Sequence, residues 1–117
     1  MATAVYLAPG FDTTKTVHEP ASNTAAVVTL AASPDFKHAI RQLFWSYSGG
    51  APVGRLTITD GGVTVLVFDI TAAGPAPMAI NMMFETNSAV VVTLLAGGAG
   101  VTGKLTVESY KVRELLS

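Results

Sequence analysis

Between Arg55 and Ile70 the chain reads Arg-Leu-Thr-Ile-Thr-Asp-Gly-Gly-Val-Thr-Val-Leu-Val-Phe-Asp-Ile, a run that fits a β-hairpin and little else. Leu56 and Ile58 alternate with Arg55, Thr57 and Thr59; after the break, Val63, Val65 and Val67 alternate with Thr64, Leu66 and Phe68. A period of two puts each set on one face of a strand. Asp60-Gly61 supplies the positive φ angles that a tight turn demands. Thr and Val recur along the rest of the chain with turn residues at short intervals, the rhythm of an all-β sandwich or barrel.

An internal echo narrows this further. Asn23-Thr-Ala-Ala-Val-Val-Thr-Leu30-Ala-Ala and Asn87-Ser-Ala-Val-Val-Val-Thr-Leu94-Leu-Ala are nearly one segment, and each is followed by a turn and a strand carrying Ser-Tyr, at Ser46-Tyr47 and Ser109-Tyr110. Two copies are too few for a solenoid. They suit a sandwich of two similar halves, as in a double Greek key. Ala72 to Pro77, with Gly74, Pro75 and Pro77, reads as a connection, and Met78, Ile80, Met82 and Phe84 share one face of the strand after it.

The segment after Ser33-Pro34 carries two patterns. Phe36, Ile40, Leu43, Phe44 and Tyr47 fall at helical spacing behind an N-cap and a proline. The echo and the β-rich surroundings instead predict a strand from about His38 to Ser48, preceded by a short helical turn over Pro34–Lys37. That strand would put Ala39, Arg41, Leu43, Trp45 and Tyr47 on one side and Ile40, Gln42, Phe44 and Ser46 on the other. Residues 1–22, with Pro9-Gly10 and Pro20, differ in texture from the rest of the chain. They are expected to form an N-terminal arm or edge strand outside a single sandwich domain of residues 23–117.

Composition bears on what such a domain does. With 117 residues the chain is one domain large enough to bury a core without staples. Charged residues are only 13%, against about 25% in an average soluble domain. Spread over roughly 6,000 Å² of surface, the charges leave about 400 Å² each, so part of the surface is expected to be hidden against a partner. The net charge of −1 argues against non-specific nucleic-acid binding. The longest charge-free run, Thr86 to Gly103, is broken by Gly97, Gly98 and Gly100, so no membrane helix is expected. Met1 to Gly10 has no basic region of the kind that opens a secretory signal. Without cysteine there is no disulfide and no thiolate site.

The motifs that resemble catalytic ones lack their contexts. Gly98-Ala-Gly100-Val-Thr-Gly103 spells a dinucleotide fingerprint, which works only when a helix N-terminus follows; here Lys104 to Val112 alternates as a strand. The same loop stops short of a phosphate-binding loop because Leu105 stands where a Ser or Thr would hold magnesium. A metal site would need His18, Glu19, Asp35 and His38 to converge from two segments. Asp69 and Glu85 are a candidate acid pair, but a small sandwich has hardly room for a glycosidase cleft around them. The expectation is a protein that is not an enzyme and holds no cofactor or metal. Trp45, Tyr47 and Tyr110 are left as either a sugar-stacking platform or anchors of the core or of a subunit interface.

Asn23–Ala32, Trp45-Ser-Tyr-Ser-Gly49, Asp69-Ile-Thr-Ala-Ala-Gly74 and Leu94–Lys104 together resemble small structural proteins of tailed bacteriophages, in particular jelly-roll capsid decoration or cement proteins. The resemblance covers about Asn23 to Val112 and rests on these short phrases. It implies a jelly-roll-like antiparallel β-sandwich of seven or eight strands. It further implies a virion protein, made in the bacterial host cytoplasm, that sits on the capsid surface as a homotrimer or dimer and bridges major capsid protein subunits. Its mechanism would be avidity, several modest contacts engaged at once. Candidate interface residues are Phe44, Trp45, Tyr47, Met82, Met83, Phe84 and Tyr110, and Lys15, Lys37, Arg41 and Arg55 are candidates for steering toward an acidic shell. A tail or fibre module and a carbohydrate-binding β-sandwich module are the alternatives.

Overall fold

Eight strands make up most of the residues described by the computed structural model, which are 14–49, 54–84 and 86–113. They are β1 (Thr14–His18), β2 (Ala26–Leu30), β3 (Phe36–Tyr47), β4 (Gly54–Asp60), β5 (Val63–Ile70), β6 (Ala76–Met83), β7 (Val90–Leu94) and β8 (Gly103–Arg113). One sheet has the order β1-β8-β3-β6 and the other β2-β7-β4-β5, all pairs antiparallel. The chain crosses between sheets at every connection except β4–β5, the hairpin read from the sequence. That order is a jelly roll, two interleaved Greek keys.

Alternation builds the core. Leu56 and Ile58 of β4, Val28 of β2, Val90, Val92 and Leu94 of β7, and Leu105 and Val107 of β8 point between the sheets and are essentially inaccessible to water. Their neighbours Thr57, Thr59, Val27, Thr29, Val91 and Thr93 alternate to the opposite face. Ile40 and Leu43 of β3 close the core from the other sheet.

The echoed segments are β2 and β7, and they lie side by side. Val28 faces Val92 in the register, and it is Val92 that Val28 matches in the echo. A local two-fold axis normal to the sheet through this pair therefore carries one strand onto the other. In the other sheet β3 and β8 also lie side by side, but their Ser-Tyr phrases do not share a face, since Tyr47 is buried in one and Ser109 in the other. The two-fold relation expected from the echo therefore holds for β2 and β7 and does not extend to β3 and β8.

β3 is a strand from Phe36, two residues earlier than expected, and the turn before it is closed by Phe36 N–H donating to the Ser33 carbonyl (3.3 Å). The helix-like spacing has a physical cause. A β-bulge between Ile40 and Gln42 makes Arg41 an extra residue against β8, so that after the buried run His38, Ala39 and Ile40 the next buried position is Leu43, a step of three. Ile40 consequently shares a face with Leu43, correcting the strict alternation predicted from the sequence. Pro77 likewise belongs to β6 and not to the connection before it. It is tolerated because β6 is an edge strand, with β3 its one partner among the described residues. β1 is an edge strand on β8, while residues 1–13 of the expected arm fall outside the described residues.

Candidate functional site

The seven residues expected at an interface are not brought together. Tyr47 (5% exposed) and Phe84 (2%) are core residues, which removes their side chains from any interface. The Tyr47 hydroxyl donates to the Leu95 carbonyl (2.6 Å), and its ring packs where Gly97 and Gly103 leave room. Phe84 is drawn in by its N–H, which donates to the His38 carbonyl (2.8 Å). Trp45 is half-buried, tilted 59° to Tyr47 at a ring separation of 6.3 Å, with its indole N–H buried and without a hydrogen-bond partner among the described residues. Tyr110 pairs with Ala39 while Tyr47 pairs with Gly103, so the two tyrosines lie toward opposite ends of β3, roughly 25 Å apart at strand rise. Tilted, buried and distant rings make no stacking platform, so Trp45, Tyr47 and Tyr110 do not form the sugar site their chemistry suggested.

Met82 turns inward beside Ile40, whereas Met83 is 55% exposed and Phe44 39%. Phe44 lies opposite Pro77 and Met83 opposite Ala39, so these two exposed side chains do not share a patch.

The charged residues are mostly committed to one another. Glu108, only 5% exposed, accepts from Gln42 Nε2 (3.0 Å) and lies 3.7 Å from both Lys15 Nζ and Arg41 Nε. Arg55 Nε donates to Asp69 Oδ1 at 3.0 Å. Lys15, Arg41 and Arg55, all considered for steering, are therefore in ion pairs, and Asp69 is engaged with a cation and not with a second acid; Glu85 falls outside the described residues. His18 accepts the Val27 N–H (2.9 Å) and His38 meets the Ala31 carbonyl (2.7 Å), structural roles in two different places. Among the described residues no His, Asp and Glu cluster could hold a metal ion. The Gly98–Gly103 loop runs directly into β8, with no helix to face a phosphate.

Two surfaces remain. The outer face of the second sheet carries Val27, Thr29, Val91, Thr93, Thr57 and Thr59 across β2, β7 and β4, and Val65 and Val67 extend it onto β5. Among the described residues its charged feature is the Arg55–Asp69 pair at one end. The sequence held the signal for this face, since β4 alternates Thr with buried Leu and Ile, but it could not show four such strands aligned. The other feature is a cleft of about 560 Å³ between the sheets on the β1–β2 side. Thr14, Thr16, Ser109, His38, Phe36 and Lys111 help to line it, with the Lys111 ammonium 5.8 Å from the centre of the Phe36 ring.

No protein-family model matches this sequence, and no curated protein is similar enough to match it. Among solved structures the chain is similar to a carbohydrate-binding module, CBM36, in complex with calcium and xylotriose. That likeness has 15% identity and a TM-score of 0.43 over 80% of this chain and 77% of the other. It is also similar to the CBM36-1 domain of a multidomain xylanase from the hindgut metagenome of Trinervitermes trinervoides, at 12% identity and a TM-score of 0.42 over 89% and 100%. At that level the likeness concerns strand arrangement and carries no weight on ligand; the jelly roll stands on the strand order itself.

Proposed function

We propose that this chain is a non-catalytic binding module that acts as a capsid decoration protein, attaching to the outside of a phage head as a homo-oligomer and bridging major capsid protein subunits. The observation that carries this reading is the Thr/Val outer face of the second sheet. Its β-branched side chains are already restricted in χ1, and the face has one ion pair to desolvate, so covering it with protein costs little rotamer entropy and little electrostatic free energy. The bacteriophage resemblance supports the same partner. The test is co-sedimentation with tailed-phage heads stripped of their outer proteins. Wild type is expected to pellet with the heads, and Thr57→Lys with Thr93→Lys to stay in the supernatant with an unchanged circular dichroism spectrum. A double variant that binds as wild type does would overturn the assignment of this face.

The hydroxyl-lined cleft favours a second reading, a carbohydrate-binding module. Its volume lies in the small-ligand range, and Thr14, Thr16 and Ser109 offer hydroxyls beside the Phe36 ring. Calorimetric titration with a panel of soluble oligosaccharides separates the two: heat that disappears in Thr16→Val or Ser109→Ala would establish the sugar reader, and a flat response would remove it.

A further inference from the structure

The inner face of the β1-β8-β3-β6 sheet changes character along its length. Alternation puts Leu105, Val107, Ser109 and Lys111 of β8 on one side of the strand. Leu105 and Val107 are sealed in the core, and the same row then continues as a hydroxyl and an ammonium. The neighbouring strands follow suit. Thr14 and Thr16 of β1 pair with Ser109 and Val107, and His38 of β3 pairs with Lys111. Positions that a period of two assigns to the interior thus carry polar side chains at this end of the sandwich. They line the cleft on the β1–β2 side, and Leu30, Ala31 and Ala32 line it from the other sheet.

A buried polar group without a partner asks for one. Ser109 is only 5% exposed, yet among the described residues its hydroxyl is in no hydrogen bond, and neither are those of Thr14 and Thr16. His38 donates from Nε2 to the Ala31 carbonyl (2.7 Å), since a carbonyl can only accept, so the neutral ring keeps Nδ1 as an acceptor. Lys111 is in no ion pair among the described residues. Its ammonium lies 5.8 Å from the centre of the Phe36 ring, and the Arg113 guanidinium lies 5.9 Å from the same ring. Among the described residues no carboxylate lines the cleft, so in a chain of net charge −1 this pocket is cationic.

We infer that the cleft binds an acidic saccharide of the uronic-acid class, with ring hydroxyls on Ser109, Thr14 and Thr16 and the carboxylate on Lys111; this rests on the carbohydrate-binding reading and names its ligand. One wall of hydroxyls and one of Leu30, Ala31 and Ala32 match a ring that is polar at its edge and apolar on its C–H face. Ser109 and Lys111 are two residues apart on one strand, roughly 7 Å, so a single pyranose can reach both. One lysine suits one negative charge. A phosphate would instead ask for an arginine fork or a helix N-terminus, and the lining offers neither.

The test is calorimetric titration of the whole chain with digalacturonic acid and diglucuronic acid, each beside its methyl ester, which keeps the ring and removes the charge. Wild type is expected to bind at least one acid tenfold or more tightly than its ester, with the gap narrowing as salt is raised. Lys111→Met is expected to bring acid and ester level with an unchanged circular dichroism spectrum, Lys111→Arg to keep the gap, and Ser109→Ala to weaken acid and ester alike. Equal binding of acid and ester by wild type, a gap that survives Lys111→Met, or the same heat from sodium acetate would overturn the proposal. Failure of both forms to bind would overturn it as well. Neutral oligosaccharides then separate the two claims: heat from them leaves the carbohydrate-binding reading standing without an acidic ligand, and a flat response removes that reading too.

Discussion

Tyr47 shows how one side chain fixes its surroundings. Its hydroxyl reaches the Leu95 carbonyl between β7 and β8, and three glycines, Gly54, Gly97 and Gly103, lie where any side chain would meet its ring or hydroxyl. Tyr47→Phe is expected to lower stability by about 1 kcal/mol, read from the urea midpoint, since a neutral hydrogen bond is lost and the Leu95 carbonyl is left to find water. Gly97→Ala would place a methyl 2.7 Å from both Tyr47 Cδ1 and Val101 Cγ1, and is expected to cost about 1–3 kcal/mol. Burial raises the phenol's pKa from its ordinary value of 10.0. The folded state therefore holds its proton longer than the unfolded one, and the contribution is fully present below pH 10 and lost as pH rises through the folded value. Wild-type stability should fall more steeply above pH 10 than that of Tyr47→Phe.

Glu108 and Asp69 make an instructive contrast. Glu108 is buried beneath two exposed cations and Gln42, so Glu108→Ala is expected to destabilise by about 1–2 kcal/mol, chiefly through the lost Gln42 hydrogen bond, because Lys15 and Arg41 return to water. The Arg55–Asp69 pair is exposed on both sides, and Asp69→Asn should stay within about 0.5 kcal/mol in the same denaturation experiment. Nothing in the sequence ranks these two acids differently. Their burial is set by what lies on neighbouring strands.

Among the elements, β3 carries the most information that local pattern misreads. Its bulge at Arg41 keeps His38 and Ile40 inward together with Leu43. Deleting Arg41 would restore strict alternation and turn one half of the strand outward, so the deletion is expected to give no cooperative unfolding transition, whereas Arg41→Ala should retain one. The β4–β5 hairpin was legible because both of its signals, period-two alternation and Asp60-Gly61, are local. Even there Asp60 does more than turn chemistry: its carboxylate accepts from the Thr86 N–H and hydroxyl and so ties the hairpin to the loop before β7. In β6 the shared face of Met78, Met82 and Phe84 was likewise readable, but its depth was not. Phe84 lies under the His38 carbonyl while Met82 is only partly buried.

For the whole molecule, the scarcity of charge points to a covered surface. If the proposed homo-oligomer covers apolar surface, the melting temperature of wild type should rise with protein concentration, because association draws on the folded state only. The same experiment separates a hidden surface from a merely apolar one.

Residue order alone was enough for several features that rest on contacts between near neighbours: an all-β chain, the hairpin with its turn, the alternation along β4, and the echo between the segments that become β2 and β7. Each follows from backbone sterics and a period of two, which a window of a few residues can carry. The packing of the two sheets settled everything else. Which strands lie at an edge, which half-buried ring is sealed and which acid is desolvated depend on segments tens of residues apart, such as Gln42 with Glu108 or Tyr47 with Leu95. The interface residues expected from their chemistry were dispersed for that reason. Aromatic character says that a side chain will be covered, and only the arrangement of the two sheets says by what.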